Sequence, residues 1–200
     1  MKLYFASSNE HKKMEMSRLL GGYKLVIPKE EGIAFDPDET GSSLVENAII
    51  KAKALYSIVQ RPVIADDSGL FVDALGGKPG VHTARYGEEN GRKLTDKEKY
   101  TLLLSNLEGI KDRKAHFSCA ICLMLSESRM YIIEESMEGK IAEQASGNHG
   151  FGYDPVFFSD EAGEVIADLD EGKKDMYSHR GKSARLIRML LDREMEDGKE

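Results

Sequence analysis

Apolar residues fall along this chain in short bursts of two kinds. Lys2-Leu3-Tyr4-Phe5-Ala6, Lys24-Leu25-Val26-Ile27 and the β-branched run Pro62-Val63-Ile64-Ala65 are compact and read as buried strands, the last one turning at Ser68-Gly69. Other stretches carry helical spacing. Met16, Leu19 and Leu20 give one apolar face to a helix from about Glu10 to Leu20. Ser43 followed by Glu46 matches a capping box that opens a helix to about Val59, and Thr95 with Glu98 repeats the signal before a helix ending near Leu107. Gly76-Gly77-Lys78-Pro79-Gly80-Val81, between them, reads as a rigid loop without strand or helix character. His116 to Ser126 and Arg129 to Met137 predict a hairpin turned at Glu127-Ser128. The last helix opens at Ser178-His179-Arg180-Gly181-Lys182 with Leu186, Met189 and Leu190 as its stripe, and the polar tail from Glu194 to Glu200 is expected to fray. Strand ends followed by helix starts predict an α/β fold.

With 200 residues and 40% hydrophobic content, the chain has enough apolar material for one domain, or two small lobes sharing a core. The expected division is a single α/β domain over residues 1–193 and a tail over 194–200. A net charge of −7 argues against a general nucleic-acid binder, which needs a basic field, but leaves room for a phosphate-bearing small molecule met by local cations. No apolar stretch approaches the ~20 residues that span a bilayer, and the N-terminus lacks a charged start followed by an apolar core. The expectation is a soluble, cytoplasmic protein without membrane or nucleic-acid partners.

The chemistry concentrates at element junctions. Ala65-Asp66-Asp67-Ser68-Gly69 sets two carboxylates at the end of an apolar run. Neighbouring residues in a strand point to opposite faces, so the strand aims at most one of them into a site and leaves the other to cap or hydrogen-bond. Carboxylate oxygens are what Mg²⁺ selects, usually one or two of them plus substrate phosphates. Ser7-Ser8-Asn9 lies between a strand end and a helix start, where free backbone N–H groups and the helix dipole favour anions, and Lys12 adds a charge one turn on. Glu39 stands in the acidic loop Asp36-Pro37-Asp38-Glu39-Thr40-Gly41, and Lys51 lies one turn beyond Asn47. Gly147-Asn148-His149-Gly150-Phe151-Gly152-Tyr153-Asp154-Pro155 combines permissive glycines with aromatic faces for stacking. Cys119 and Cys122 have C-x-x-C spacing, but in a strand positions three apart face opposite ways, so they read as two buried thiols. There is no G-x-x-x-x-G-K-[ST] loop and no kinase signature, so phosphate binding is arranged another way.

Six segments, in order, resemble the inosine triphosphate pyrophosphatase family, and the likeness runs from Phe5 to about Leu190. They are Ser7-Ser8-Asn9-x-x-Lys12-x-x-Glu15; Glu39-Thr40-Gly41 with Glu46-Asn47-Ala48-x-x-Lys51-Ala52; Ala65-Asp66-Asp67-Ser68-Gly69-Leu70; Gly77-x-Pro79-Gly80-Val81; Phe151-Gly152-Tyr153-Asp154-Pro155-x-Phe157; and Ser178-His179-Arg180-Gly181-Lys182. The resemblance implies an elongated, two-lobed α/β fold with a long mixed sheet flanked by helices, an active cleft between the lobes, and a homodimer. It implies Mg²⁺-dependent hydrolysis of ITP, dITP and XTP to the monophosphate and pyrophosphate, which clears these non-standard purine nucleotides. Carried over by position, Ser7, Ser8, Asn9, Glu10, His11, Lys12 and Lys51 hold the phosphates, and Glu39 and Asp67 hold the metal. Asp67 also activates water, while Lys12 and Lys51 stabilise the leaving pyrophosphate. Ser68, Phe151, Gly152, Tyr153, Asp154, Lys174, His179 and Arg180 bind the nucleotide, with His179 or Arg180 donating to the C6 oxygen of the base. Ser7 stands where Thr is more usual, Lys173 where an acid is frequent, Asp175 where Asn is frequent, and Ser183 where Ala is common. Three alternatives fit the motifs less well. A Maf-type nucleotide pyrophosphatase opens with a Ser-x-Ser-x-x-Arg pattern, unlike Asn9 and Lys12 here. A silent nucleotide sensor would be expected to lose a metal carboxylate, and a haloacid-type phosphatase needs a D-x-D arrangement that is missing.

Overall fold

The computed structural model describes residues 1–89 and 91–197, and these fall into two compact units. The first comprises Met1–Asp67, Cys119–Glu135 and the stretch from Arg180 onward; the second comprises Ser68–Ser118 and Ser136–His179. Strands β1 (Lys2–Phe5), β2 (Lys24–Val26), β3 (Val63–Val72), β4 (Lys78–Gly80), β5 (Lys114–Ser126), β6 (Arg129–Ile141), β7 (Phe157–Ser159) and β8 (Glu164–Val165) form one open sheet in the order β2-β1-β3-β5-β6-β7-β8, with β4 added to β3. The sheet is mixed. β1 pairs parallel with β2 and β3, whereas β4 on β3, β7 on β6 and β8 on β7 are antiparallel. The helices are α1 (Glu10–Leu19), α2 (Leu44–Val59), α3 (Asp96–Asn106), α4 (Glu171–Tyr177) and α5 (His179–Asp197).

In the first unit, Leu3 and Phe5 of β1, Leu25 of β2, Ile64 of β3, and Cys119, Ile121 and Leu123 of β5 meet Met16 of α1 and Ala184, Ile187 and Leu191 of α5. Parallel strands covered on both faces read as unbroken apolar runs, which is why β1 and the start of β3 stand out in the sequence. The buried face of α5 differs from the expected stripe. Met189 is 68% exposed and Leu186 37%, while Ala184, Ile187 and Leu191 are fully buried. Ser183 shares that inner face and donates its hydroxyl to the Cys119 carbonyl at 2.8 Å, which ties α5 to β5. The helix continues through residues 194–197, and Glu194 accepts from the Tyr131 hydroxyl at 2.6 Å; the last three residues of the expected tail lie outside the described residues.

In the second unit, Leu70 and Val72 of β3, Leu103 of α3, Phe117 of β5, Met137 and Ile141 of β6, and Phe157 of β7 form a separate core with Tyr153, Val156, Ile166 and Leu169. Arg113 fastens its edge by donating to the carbonyls of Ile141, Leu107 and Ala142 at 2.8, 2.8 and 2.9 Å.

Two turn assignments are corrected. β3 does not end at Ser68-Gly69 but runs on to Val72, and residues 78–80 form β4 rather than a loop. The glycine that suggested a turn serves a close contact instead: a Cβ on Gly69 would lie 2.7 Å from the Gly80 carbonyl. The Thr95–Glu98 capping box is complete, with both reciprocal bonds formed. The Ser43–Glu46 signal is half realised. Ser43 Oγ caps the Glu46 N–H, but the Glu46 carboxylate reaches back one residue further, to Ser42 N and Oγ at 2.6 and 2.8 Å. Cys119 and Cys122 are both buried and unbridged, and burial pushes the Cys122 thiol up to about 12. No helix among the described residues is long and apolar enough to cross a membrane.

Candidate functional site

Successive residues of β3 point to opposite faces, and the adjacent aspartates receive different partners accordingly. Asp66 Oδ2 accepts from Lys12 Nζ, Arg180 Nε and Arg180 Nη2, each at 3.1 Å. Arg180 Nη1 donates to Glu15 Oε2 at 2.7 Å. Burial by itself would raise the Asp66 carboxyl, but Lys12, Arg180 and Lys51 outweigh it and hold the group well below the usual carboxylate range. The same carboxylates hold the Arg180 guanidinium firmly charged against its burial. This network locks Lys12 to the strand. The linear sequence gives Asp66 no defined role and Glu15 only a place in a motif; the one local signal is its position three residues after Lys12, on the same side of α1.

Asp67 faces α2. The buried side of that helix, Leu44, Asn47, Ala48, Lys51, Ala52 and Leu55, is apolar except for Asn47 and Lys51, one turn apart. Lys51 Nζ lies 2.8 Å from Asp67 Oδ1 and 2.9 Å from Glu39 Oε1, while Asn47 Nδ2 donates to Asp67 Oδ2 at 3.2 Å. Burial pushes the Asp67 carboxyl up, against the pull of Lys51 and Lys12. Burial also works against the charge on Lys51, but Asp67, Asp66 and Glu39 together raise it. Glu39 and Asp67 therefore converge on a single cationic point. Among the described residues no group of three or more His, Cys, Asp or Glu could hold a metal. Two hard carboxylates on one point suit a cation that takes its remaining ligands from water and phosphate, the usual habit of Mg²⁺.

The turn between β1 and α1 is built as expected of a helix start. Asn9 Oδ1 caps the Lys12 N–H at 3.1 Å, and the Asn9 N–H donates to Ser7 Oγ at 3.1 Å. Ser8, Asn9, Glu10 and His11 are exposed, and Ser7 and Lys12 are half-buried. The Asn9 side-chain oxygen Oδ1 is thus occupied as a cap.

The second unit holds the other predicted group. Asp154 Oδ2 accepts from the Phe151 N–H at 2.8 Å and from Lys174 Nζ at 2.6 Å, and the same ammonium sits 4.9 Å from the centre of the half-buried Phe151 ring. Gly150 has φ +79°, and a Cβ there would fall 2.1 Å from Asp154 Oδ2, so the loop needs glycine to admit the carboxylate. Asp96 Oδ2, at the start of α3, accepts from Gly152 N–H at 2.8 Å. Ser68 is half-buried in β3, and the His179 ring stacks on Phe117 at 4.8 Å and 6°.

Two expected contacts are deployed differently. Tyr153 is core rather than a stacking surface: it is 4% exposed, its hydroxyl donates to the Thr83 carbonyl at 3.1 Å, and burial raises the hydroxyl further above its ordinary value. Arg180, expected at the base, directs Nε, Nη1 and Nη2 to Asp66 and Glu15 in the first unit. Neither partner choice is visible in a linear motif.

An open mixed sheet whose strand β3 carries one aspartate paired with Lys12 and Arg180 and the next paired with Lys51 defines an α/β protein with a charged site on an inner strand. The family profile described as Ham1 family matches residues 3–189, and the chain belongs to that family. It is 51% identical over 183 residues to the dITP/XTP pyrophosphatase of Treponema denticola, covering 92% of this chain and 94% of that one. It is 44% identical to the protein of the same name from Leptospira biflexa, covering 92% and 93%. The Ham1 protein of Staphylococcus aureus superposes with a TM-score of 0.85 at 34% identity, covering 97% of this chain and 100% of that one. The HAM1 protein from Coxiella burnetii gives 0.86 at 38%, covering 96% and 99%.

Proposed function

We propose that this protein hydrolyses the triphosphates of non-standard purines, dITP, ITP and XTP, to the monophosphate and pyrophosphate, and that it works as a Mg²⁺-dependent homodimer. The observation that carries the reading is Lys51 Nζ between Glu39 and Asp67, a pair of carboxylates gathered around one cation, Asp67 from the middle of β3 and Glu39 from the loop before α2. The names of the relatives support the substrate class.

In this reading Glu39 and Asp67 hold the divalent cation, which when bound neutralises phosphate charge and makes its water more acidic. Asp67, whose carboxyl is raised by burial, accepts the proton of the attacking water. Lys12 and Lys51 face the phosphates and stabilise charge on the departing pyrophosphate. The Ser7–His11 turn lies at the α1 N-terminus, where the helix dipole favours an anion. Phe151 supplies a face for the base, held in place by Lys174 and Asp154. Hypoxanthine and xanthine carry an oxygen at C6, which accepts from His179 or Lys174. Adenine has an amino group there, and leaving such buried donors unmet costs ~1–3 kcal/mol each, more for a charged one. We assign Arg180 to holding Asp66 and Lys12 rather than to the base.

A panel of purine and pyrimidine triphosphates with Mg²⁺, resolved by anion exchange, tests the reading. dITP, ITP and XTP are expected to yield monophosphate and pyrophosphate with kcat/KM about 10² to 10⁴ above that for ATP. Free phosphate as the first product, or intact dITP and XTP, would overturn it.

A further inference from the structure

We infer that Asn47 is a positioning residue: its one carboxamide sets the spacing of the two carboxylates by gripping the segments that carry them. The inference rests on the reading of Glu39 and Asp67 as the cation-holding pair. Asn47 is 1% exposed and stands on the buried face of α2. Its Oδ1 accepts the Gly41 N–H at 2.8 Å, and its Nδ2 donates to Asp67 Oδ2 at 3.2 Å. Gly41 follows Glu39 by two residues, so the first bond anchors the acidic loop. The second bond takes one Asp67 oxygen and leaves Oδ1 to Lys51 at 2.8 Å.

The fit at Gly41 is close. A Cβ there would come within 2.6 Å of Asn47 Oδ1, 2.7 Å of Glu46 Cβ and 2.9 Å of Asn47 N. The loop therefore rests directly on the first turns of α2, where Glu46 also takes Ser42 N and Oγ. The link needs a carboxamide, acceptor and donor in one group, and glutamine would shift it by a methylene. Aspartate can still accept from Gly41 but has no donor for Asp67 and adds a negative charge beside it; leucine of similar size does neither.

The test separates the loop from the chemistry. In Asn47→Leu, amide hydrogen exchange at residues 39–42 is expected to accelerate by about tenfold or more, since the Gly41 amide loses its acceptor. The Mg²⁺ concentration for half-maximal hydrolysis of dITP is expected to rise by about tenfold, with the KM for dITP at saturating Mg²⁺ within about twofold of the parent. Asn47→Asp is expected to keep the slow exchange of residues 39–42 and still lose turnover, because only the Asp67 end is broken. Unchanged exchange in Asn47→Leu, or faster exchange with an unaltered Mg²⁺ requirement, would overturn the inference. Parent protein that leaves dITP intact would instead refute the proposed function, and the exchange measurements would still decide whether Asn47 anchors the loop.

Discussion

Replacing Asp67 with asparagine is expected to lower turnover of dITP by about 10² to 10⁴ while the chain stays folded. The amide has the shape of the carboxyl group and keeps an oxygen that can accept from Lys51 or Asn47, so packing around β3 is preserved. What it lacks is charge and basicity. Lys51 retains Glu39 at 2.9 Å, so no ammonium is left buried alone. A coupled pyrophosphate assay gives kcat, and thermal melting with circular dichroism establishes that the variant is native. Turnover equal to that of the parent would remove Asp67 from the chemistry.

The neighbouring replacement is expected to fail differently. Asp66→Ala withdraws the carboxylate on which Arg180 and Lys12 both converge, inside a region where Asp66 and Arg180 are 1% and 3% exposed. Removing one partner of a buried pair leaves an uncompensated charge, at a cost of about 3–5 kcal/mol. Glu15 still holds Nη1 of the guanidinium, which keeps the loss within that range rather than above it. Urea unfolding of Asp66→Ala, Arg180→Leu and the double variant reads this directly: each single variant is expected to be strongly destabilised, and the double variant less so than the sum of the two. A stability for Asp66→Ala within about 0.5 kcal/mol of the parent, the range of an ordinary surface change, would contradict the network.

The contrast between these aspartates shows what was legible in the sequence. That only one of two consecutive acids in a strand serves a given face follows from the pleat. Which partners each one meets does not, because Arg180 lies 114 residues from Asp66 and nothing local announces it. The same holds for α5, where Leu186, Met189 and Leu190 suggest a stripe and only Leu190 packs against the core. Its inward face actually pairs the apolar Ala184, Ile187 and Leu191 with the buried polar Arg180 and Ser183, so apolar periodicity alone misplaces it. The parallel strands and the helix caps were readable because their signals are local: unbroken apolar runs, and Ser or Thr three residues before Glu. The burial of Tyr153 is hidden from the sequence for a related reason. An aromatic beside glycines looks like a platform, and only the second core, assembled from β3, β5, β6 and β7, reveals that this ring is structural.

Tyr4 lies opposite Val63 and Phe5 opposite Ile64, the positions that fix how far β3 has advanced along β1. Because Asp66 and Asp67 are consecutive letters of that strand, a slip of a single position would turn both to the opposite face: either Asp67 would stand where Asp66 meets Arg180, or Asp66 would stand where Asp67 meets Lys51, and in the proposed reading either outcome empties one of the two posts. Faithful threading of one β-ladder is thus a condition of activity as well as of stability.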